Sequence, residues 1–130
     1  MKNKIKICIV RSKYNNTNNL LKSATKELLK RKINYKILEV PGAFEIPVAI
    51  SKNINKFDGF IALGSIIRGK TPNFDFISMA ITNGLMQISI MHKKPIGNAV
   101  LTCFNEKQVK LRANKGYEAV IAVSEILNVK

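Results

Sequence analysis

The residues best suited to chemistry fall in one stretch, Leu63-Gly64-Ser65-Ile66-Ile67-Arg68-Gly69-Lys70-Thr71-Pro72-Asn73-Phe74-Asp75-Phe76. Arg68 and Lys70 carry positive charge, Thr71 supplies a hydroxyl, and the glycines let backbone approach a ligand closely. An apolar run from Phe60 to Leu63 leads in, and a long apolar-rich segment leads out. That order predicts a buried strand, a glycine-containing turn beginning at Gly64, and a helix start. Unsatisfied N–H groups and the positive end of a helix dipole both favour an anion there. The chemistry implied is phosphate binding.

Gly64 to Thr71 also fits G-x-x-x-x-G-K-T, the phosphate loop of nucleotide hydrolases. Such a loop wraps its backbone around phosphates, and the β-branched pair Ile66-Ile67 resists those dihedrals. Pro72 interrupts the helix that should open at Gly-Lys-Thr, and no apolar run ends in an obvious magnesium-binding Asp. Nucleotide hydrolysis is therefore disfavoured.

The elements that must position this stretch follow from periodicity. Ile5 to Val10 is β-branched and predicts a first strand. Leu20, Leu21, Ala24, Leu28 and Leu29 recur at helical spacing, with Thr17 or Asn18 as cap. Tyr35 to Val40 predicts a second strand, and Pro47 falls in the first turn of a helix reaching about Ile54. Phe57 to Leu63 predicts a third strand, then a helix from about Asn73 to Met91, closed by Lys93-Lys94-Pro95. Ile96 to Thr102 predicts a fourth strand, followed by a short helix over 105–112 and a last one from Gly116 to about Leu127.

Four strands alternating with helices, without tight hairpin signals, imply an α/β fold. They form a four-stranded parallel sheet with helices on both faces, in a single domain over 1–130. Ligands in such folds bind beyond the carboxyl ends of the strands. Tyr14, the turn from Gly42 to Glu45, the turn from Gly64 to Asn73 and the region after Thr102 should therefore share one rim.

Composition narrows the class. A hydrophobic share of 46% argues against disorder. The net charge of +14 raises the question of nucleic acid, but the lysines are spread along the chain rather than gathered in one patch. Lys, Asn and Ile are abundant together, as expected of a coding sequence rich in A and T. No signal segment opens the chain. The segment from Phe74 to Met91 is broken by Asp75, Asn83 and Gln87, which disfavours a membrane span. Cys8 and Cys103 fall in predicted strands and are expected as reduced core residues, in keeping with a cytoplasmic location. With one His and two distant Cys, no metal-ligand spacing is present.

Taken in order, Val40-Pro41-Gly42-Ala43-Phe44-Glu45-Ile46-Pro47, Ala62 to Thr71, Phe74-Asp75, Leu101-Thr102 and Asn114-Lys115-Gly116 resemble the lumazine synthases over essentially the whole chain. The resemblance implies a flavodoxin-like three-layer fold, assembled as pentamers and sometimes as decamers or sixty-subunit shells, with active sites between subunits. It implies condensation of 5-amino-6-(D-ribitylamino)uracil with 3,4-dihydroxy-2-butanone 4-phosphate to 6,7-dimethyl-8-ribityllumazine, the penultimate step of riboflavin biosynthesis, with no metal or organic cofactor.

Carried over residue by residue, the resemblance places Tyr14 where an aromatic ring stacks on the pyrimidine. Ala43, Phe44 and Glu45 match the turn that holds the ribityl chain, and Ser65, Ile66 and Ile67 match the pocket edge. Gly69, Lys70 and Thr71 match the phosphate cradle, joined by Arg112 and Lys115.

Two departures stand out. Asn73 occupies the position of the proton-transfer His, and a neutral amide takes up no proton near pH 7. His92, nineteen residues along the same helix, would lie about 28 Å away at roughly 1.5 Å per residue. Asn98 stands where many relatives place an aromatic that reaches the neighbouring subunit's pocket. The expectation is a slower but working synthase, forming a bare pentamer. Its rivals are a riboflavin synthase of the archaeal type and a catalytically weakened homologue that binds flavin or RNA.

Overall fold

The computed structural model describes residues 5–13, 17–69 and 72–129. The predicted strand stretches form four strands, β1 (Lys6–Ser12), β2 (Asn34–Val40), β3 (Gly59–Ile67) and β4 (Ile96–Cys103). Between and after them lie α1 (Asn18–Lys30), a single 3-10 turn (Ala43–Glu45), α2 (Ile46–Lys52), α3 (Asn73–His92), α4 (Glu106–Leu111) and α5 (Lys115–Leu127). Every strand pairing is parallel, in the order β2-β1-β3-β4. This is the flavodoxin-like order, with helices covering both faces of the sheet.

Alternation along the strands builds two cores. Ile7, Ile9, Ile61, Leu63, Ala99 and Leu101 pack with Leu20, Ala24 and Leu28 of α1 and with Val120 and Val123 of α5. On the opposite face, Cys8, Val10, Phe60 and Ala62 pack with Ile46 and Ile50 of α2 and with Ile81 and Leu85 of α3. A strand buried on both faces needs apolar residues at consecutive positions, which is why β1 and β3 read as unbroken apolar runs.

The third strand is longer than the sequence predicts. It continues past Leu63, pairing Ser65, Ile66 and Ile67 with Leu101, Thr102 and Cys103. The turn expected at Gly64 is therefore strand, and the predicted anion cradle shortens to the residues after Ile67. Extended pairing suits β-branched isoleucines and removes the wrapped backbone a nucleotide phosphate loop requires.

Two helix ends also differ in detail. Thr17 precedes α1 but makes no side-chain cap. Its hydroxyl donates to the Ser12 carbonyl at 2.8 Å and accepts from Arg11 Nε at 3.1 Å. At the end of α3, Lys93 takes the left-handed conformation at φ 55°, where glycine is more usual. The end is sealed by Ser89, whose hydroxyl donates to the Lys94 carbonyl at 2.7 Å.

Gly116 brings α5 directly onto α1, because a Cβ there would collide with the Leu20 carbonyl and the Ser23 hydroxyl. Gly116→Ala should therefore destabilise the fold by about 2–3 kcal/mol, the usual cost of overpacking against groups that cannot move aside. Urea unfolding checks this through a lowered midpoint at constant slope. Burial also pushes the Cys8 thiol up from 9.0 to about 12. Between those values the unfolded thiol loses its proton and the folded one keeps it, so this group's contribution to stability falls as pH rises from about 9 to about 12. Unfolding midpoints at stepped pH should show the native protein losing stability across that window faster than Cys8→Val.

Candidate active site

Parallel strands deliver their carboxyl ends to one rim. Two backbone bonds carry the pairing one residue further there, Lys13 N–H to the Val40 carbonyl at 2.9 Å and Arg68 N–H to the Cys103 carbonyl at 2.8 Å. After β2, Pro41-Gly42 turns the chain into the Ala43–Glu45 turn. Glu45 Oε1 accepts the Gly42 N–H at 2.9 Å, while the Glu45 N–H donates to the Gly42 carbonyl at 3.2 Å. The carboxylate is thus fixed by its own turn, and Oε2 is not used in that bond.

Ala43 is buried beneath this turn, against Gly64 of β3. A Cβ at Gly64 would lie 3.2 Å from Ile46 Cδ1 and 3.3 Å from both Ala43 Cβ and Ser12 Oγ. Gly64 therefore serves the close approach of turn and sheet. With Ala43 held inward, Phe44 points out, 58% exposed.

Phe44 and Glu45 line a cavity of about 390 Å³ with Pro47, Val48, Ala80 and Ile81. A neighbouring hollow of about 400 Å³ lies between Phe44, Asn73, Phe76, Ile77 and Ala80. Sharing Phe44 and Ala80, the two are lobes of one largely apolar trough between the Ala43–Glu45 turn and the start of α3. Ile66 points to this side of the sheet. Its neighbour Ile67 packs on the opposite side with α1 and α5, and the alternation places the buried Ser65 side chain there too.

The other rim residues come from β3 and β4. Gly69 is exposed, with open space where a Cβ would sit. Arg112 follows α4 and brings Nη1 to 4.0 Å from Cys103 Sγ at the end of β4. Lys115 N–H donates to the Arg112 carbonyl at 3.0 Å, and its ammonium lies 3.5 Å from Glu118 Oε1. Tyr14, Lys70 and Thr71 lie outside the described residues.

Asn98 is separate. It pairs with Ala62 five residues before the end of β4, about 16 Å from the rim at roughly 3.3 Å per residue. There it borders a hollow with Thr82, Leu85, Met86 and Ser89, and its Oδ1 accepts the Val100 N–H at 2.9 Å. Within one chain, Ala43, Phe44, Glu45, Ile66 and Asn73 come together, Gly69 and Arg112 share their rim, and Asn98 faces elsewhere.

Two arrangements are not foreshadowed by the sequence. Arg68 places its guanidinium carbon 5.8 Å from the Phe74 ring centre and 5.9 Å from that of Phe104. Ser12 Oγ is fully buried beside Gly64 with no hydrogen-bond partner among the described residues. Local sequence shows neither, since both depend on elements far apart in the chain. No three His, Cys, Asp or Glu side chains come together among the described residues. The trough thus offers an aromatic ring, a fixed carboxylate and an amide, which suit a flat, hydroxyl-bearing ligand.

Comparison with known proteins identifies the family. The family profile described as 6,7-dimethyl-8-ribityllumazine synthase matches residues 4–130. A protein of that name from Campylobacter curvus is 38% identical over 137 residues, covering 96% of this chain and 88% of its own. Those of Campylobacter jejuni subsp. doylei and Sulfurospirillum multivorans are 38% and 35% identical over 95% of this chain, covering 88% and 86% of their own lengths. Among solved structures, a split gene transketolase described as an inactive beta4 tetramer aligns with a TM-score of 0.55 at 16% identity. It covers 99% of this chain and 40% of that one, a likeness that speaks to the fold alone. A profile match from residue 4 to the last residue, joined to relatives above a third identical over nearly the same span, means that the chain belongs to the 6,7-dimethyl-8-ribityllumazine synthase family.

Proposed function

We infer that this chain carries out the reaction of its family. It condenses 5-amino-6-(D-ribitylamino)uracil with 3,4-dihydroxy-2-butanone 4-phosphate to 6,7-dimethyl-8-ribityllumazine, releasing phosphate and water. The observation that carries this reading, beyond family membership, is the trough that brings Phe44 beside Glu45 and Asn73 at the carboxyl ends of the strands, the end of the sheet from which Gly69 and Arg112 also emerge. Glu45 is placed to accept hydrogen bonds from the ribityl hydroxyls through the oxygen its turn leaves over. The Arg112 guanidinium suits the phosphate, whose departure as an anion needs positive charge nearby.

Asn73 sets the rate. It can orient a substrate group but cannot take a proton from the attacking amine or return one to the leaving oxygen. Holding an aromatic amine against a ketone supplies about 7–11 kcal/mol of the barrier reduction, more than acid–base help provides. The ketone's own phosphate can accept a proton. Catalysis therefore rests on positioning.

Assembly completes the site. Helix α3 leaves Phe76, Met79, Met86, Ile90 and Met91 exposed, and Phe44 and Val48 extend that apolar face. By length and composition α3 is the one helix among the described residues suited to cross a membrane. It nevertheless carries Asp75, Asn83 and Gln87, and sets Ile81 and Leu85 into the core of the sheet. A contiguous apolar face of this kind is covered by protein. Further copies of the chain, arranged as a pentamer, would cover it and bring a neighbour's Asn98 towards the trough. The free, buried Cys8 and Cys103 fit a cytoplasmic setting.

The purified protein, given both substrates, should form the fluorescent lumazine, whereas the pyrimidine, the ketone phosphate or the lumazine alone should yield nothing. Turnover of the lumazine to riboflavin would instead assign the archaeal-type riboflavin synthase reaction. Asn73→His should raise kcat about 10- to 100-fold, within the span of general acid–base catalysis. An unchanged or lower kcat would remove the amide as the limiting feature. Charging the α3 face with Met79→Glu and Ile90→Glu together should give a folded monomer by sedimentation and circular dichroism, with kcat/KM reduced at least about tenfold. A fully active monomer would show that one chain suffices.

A further inference from the structure

We propose that Arg68 is a positioning residue of this site, a clamp that ties the turn after β3 to the segment after β4 through the ring faces of Phe74 and Phe104. The proposal rests on the synthase reading for its catalytic consequence and on geometry alone for its existence.

Three contacts define the clamp. The Arg68 N–H donates to the Cys103 carbonyl at 2.8 Å, which holds the two chain segments side by side as they leave the sheet. The guanidinium then lies 5.8 Å from the Phe74 ring centre and 5.9 Å from that of Phe104, within the range of cation–π attraction for both. A planar, weakly hydrated guanidinium serves two rings in this way better than a compact, strongly hydrated ammonium does. None of the ion pairs among the described residues involves Arg68, so its charge is not neutralised by a carboxylate there.

The second ring is itself held. The Phe104 N–H donates to Gln108 Oε1 at 2.7 Å, and the Gln108 N–H donates to Asn105 Oδ1 at 3.0 Å. Phe104 is thereby fixed by the first turn of α4, yet its ring is 64% exposed. A large ring left that open gains little from burial, and serving as a platform for Arg68 accounts for it. The far end of α4 carries Arg112, which reaches back to Cys103. Gly69 follows Arg68 directly, and Asn73 directly precedes Phe74. The clamp therefore sets the spacing between the Gly69 and Asn73 side of the rim and the Arg112 side, the two sides a phosphate would have to bridge.

The test compares Arg68→Ala, Arg68→Lys, Phe104→Leu, Phe104→Tyr and the double variant Arg68→Ala with Phe104→Leu. Removing either half of the clamp should raise KM for the ketone phosphate about five- to tenfold, the size of one or two partly exposed cation–π contacts, with kcat within about twofold. The double variant should be no worse than the poorer single one, because both break the same contact. Phe104→Tyr should restore KM, and Arg68→Lys should recover it only in part. If the two single effects multiply, Arg68 touches the phosphate directly and the clamp is wrong. Hydrogen exchange supplies an arm independent of turnover. Amides over 72–76 and 104–108 should exchange faster in Arg68→Ala and in Phe104→Leu than in the native protein, and unchanged exchange overturns the clamp. Should the native protein lack synthase turnover, the functional reading fails while exchange still decides the clamp.

Discussion

A parallel strand buried on both faces can present chemistry only where it ends. β3 is such a strand, with Phe60, Ile61, Ala62 and Leu63 all fully buried. Its position between β1 and β4 fixes where the chain may emerge, because each neighbour pairs with it in a set register. The candidate site follows from that constraint. The Ala43–Glu45 turn must close over Gly64, and α3 must start from the residues just beyond Ile67. The segment after β4 must then leave beside Arg68. The rim is thus an outcome of sheet order as much as of the residues on it.

Much of this was legible in the chain because burial leaves a local mark. A β-branched run identified β1, apolar stretches bounded by turn residues identified the other three strands, and helical spacing identified α1. Pro41-Gly42 followed by Ala43-Phe44-Glu45 identified the turn that carries the fixed carboxylate. The misplacement at Gly64 is instructive. A glycine before charged residues reads as a turn, yet here it answers a packing demand from Ala43 and Ile46, about twenty residues earlier. Nothing in the neighbourhood of Gly64 records that demand, whereas Ile66-Ile67 did record that the strand continues.

The arginine between two rings shows the opposite limit. Arg68 and Phe74 are close in sequence, but Phe104 arrives by way of a helix and a further strand, so no spacing rule joins them. The same holds for α3. Its apolar residues run around most of the helix, which predicts burial on several sides, whereas the chain alone buries only Ile81 and Leu85 of its side chains. The surplus apolar surface is a sequence signal whose explanation lies outside the single chain.

Seen this way, Asn73 and the exposed face of α3 belong to one physical problem. A site without a histidine at that position must obtain its acceleration from holding two reactants in register, and register is only as good as the rigidity of the groups that set it. In this chain the fixed points are backbone-anchored, as with Glu45 held by the Gly42 N–H and Arg68 held by the Cys103 carbonyl. The least enclosed points are the exposed apolar side chains of the trough, Phe44 and Phe76. Covering them would exclude water and restrict their rotamers, and would strengthen every polar contact at the rim by lowering the local dielectric. A site that relies on positioning has much to gain from that enclosure, which ties the proposed assembly to the proposed catalysis.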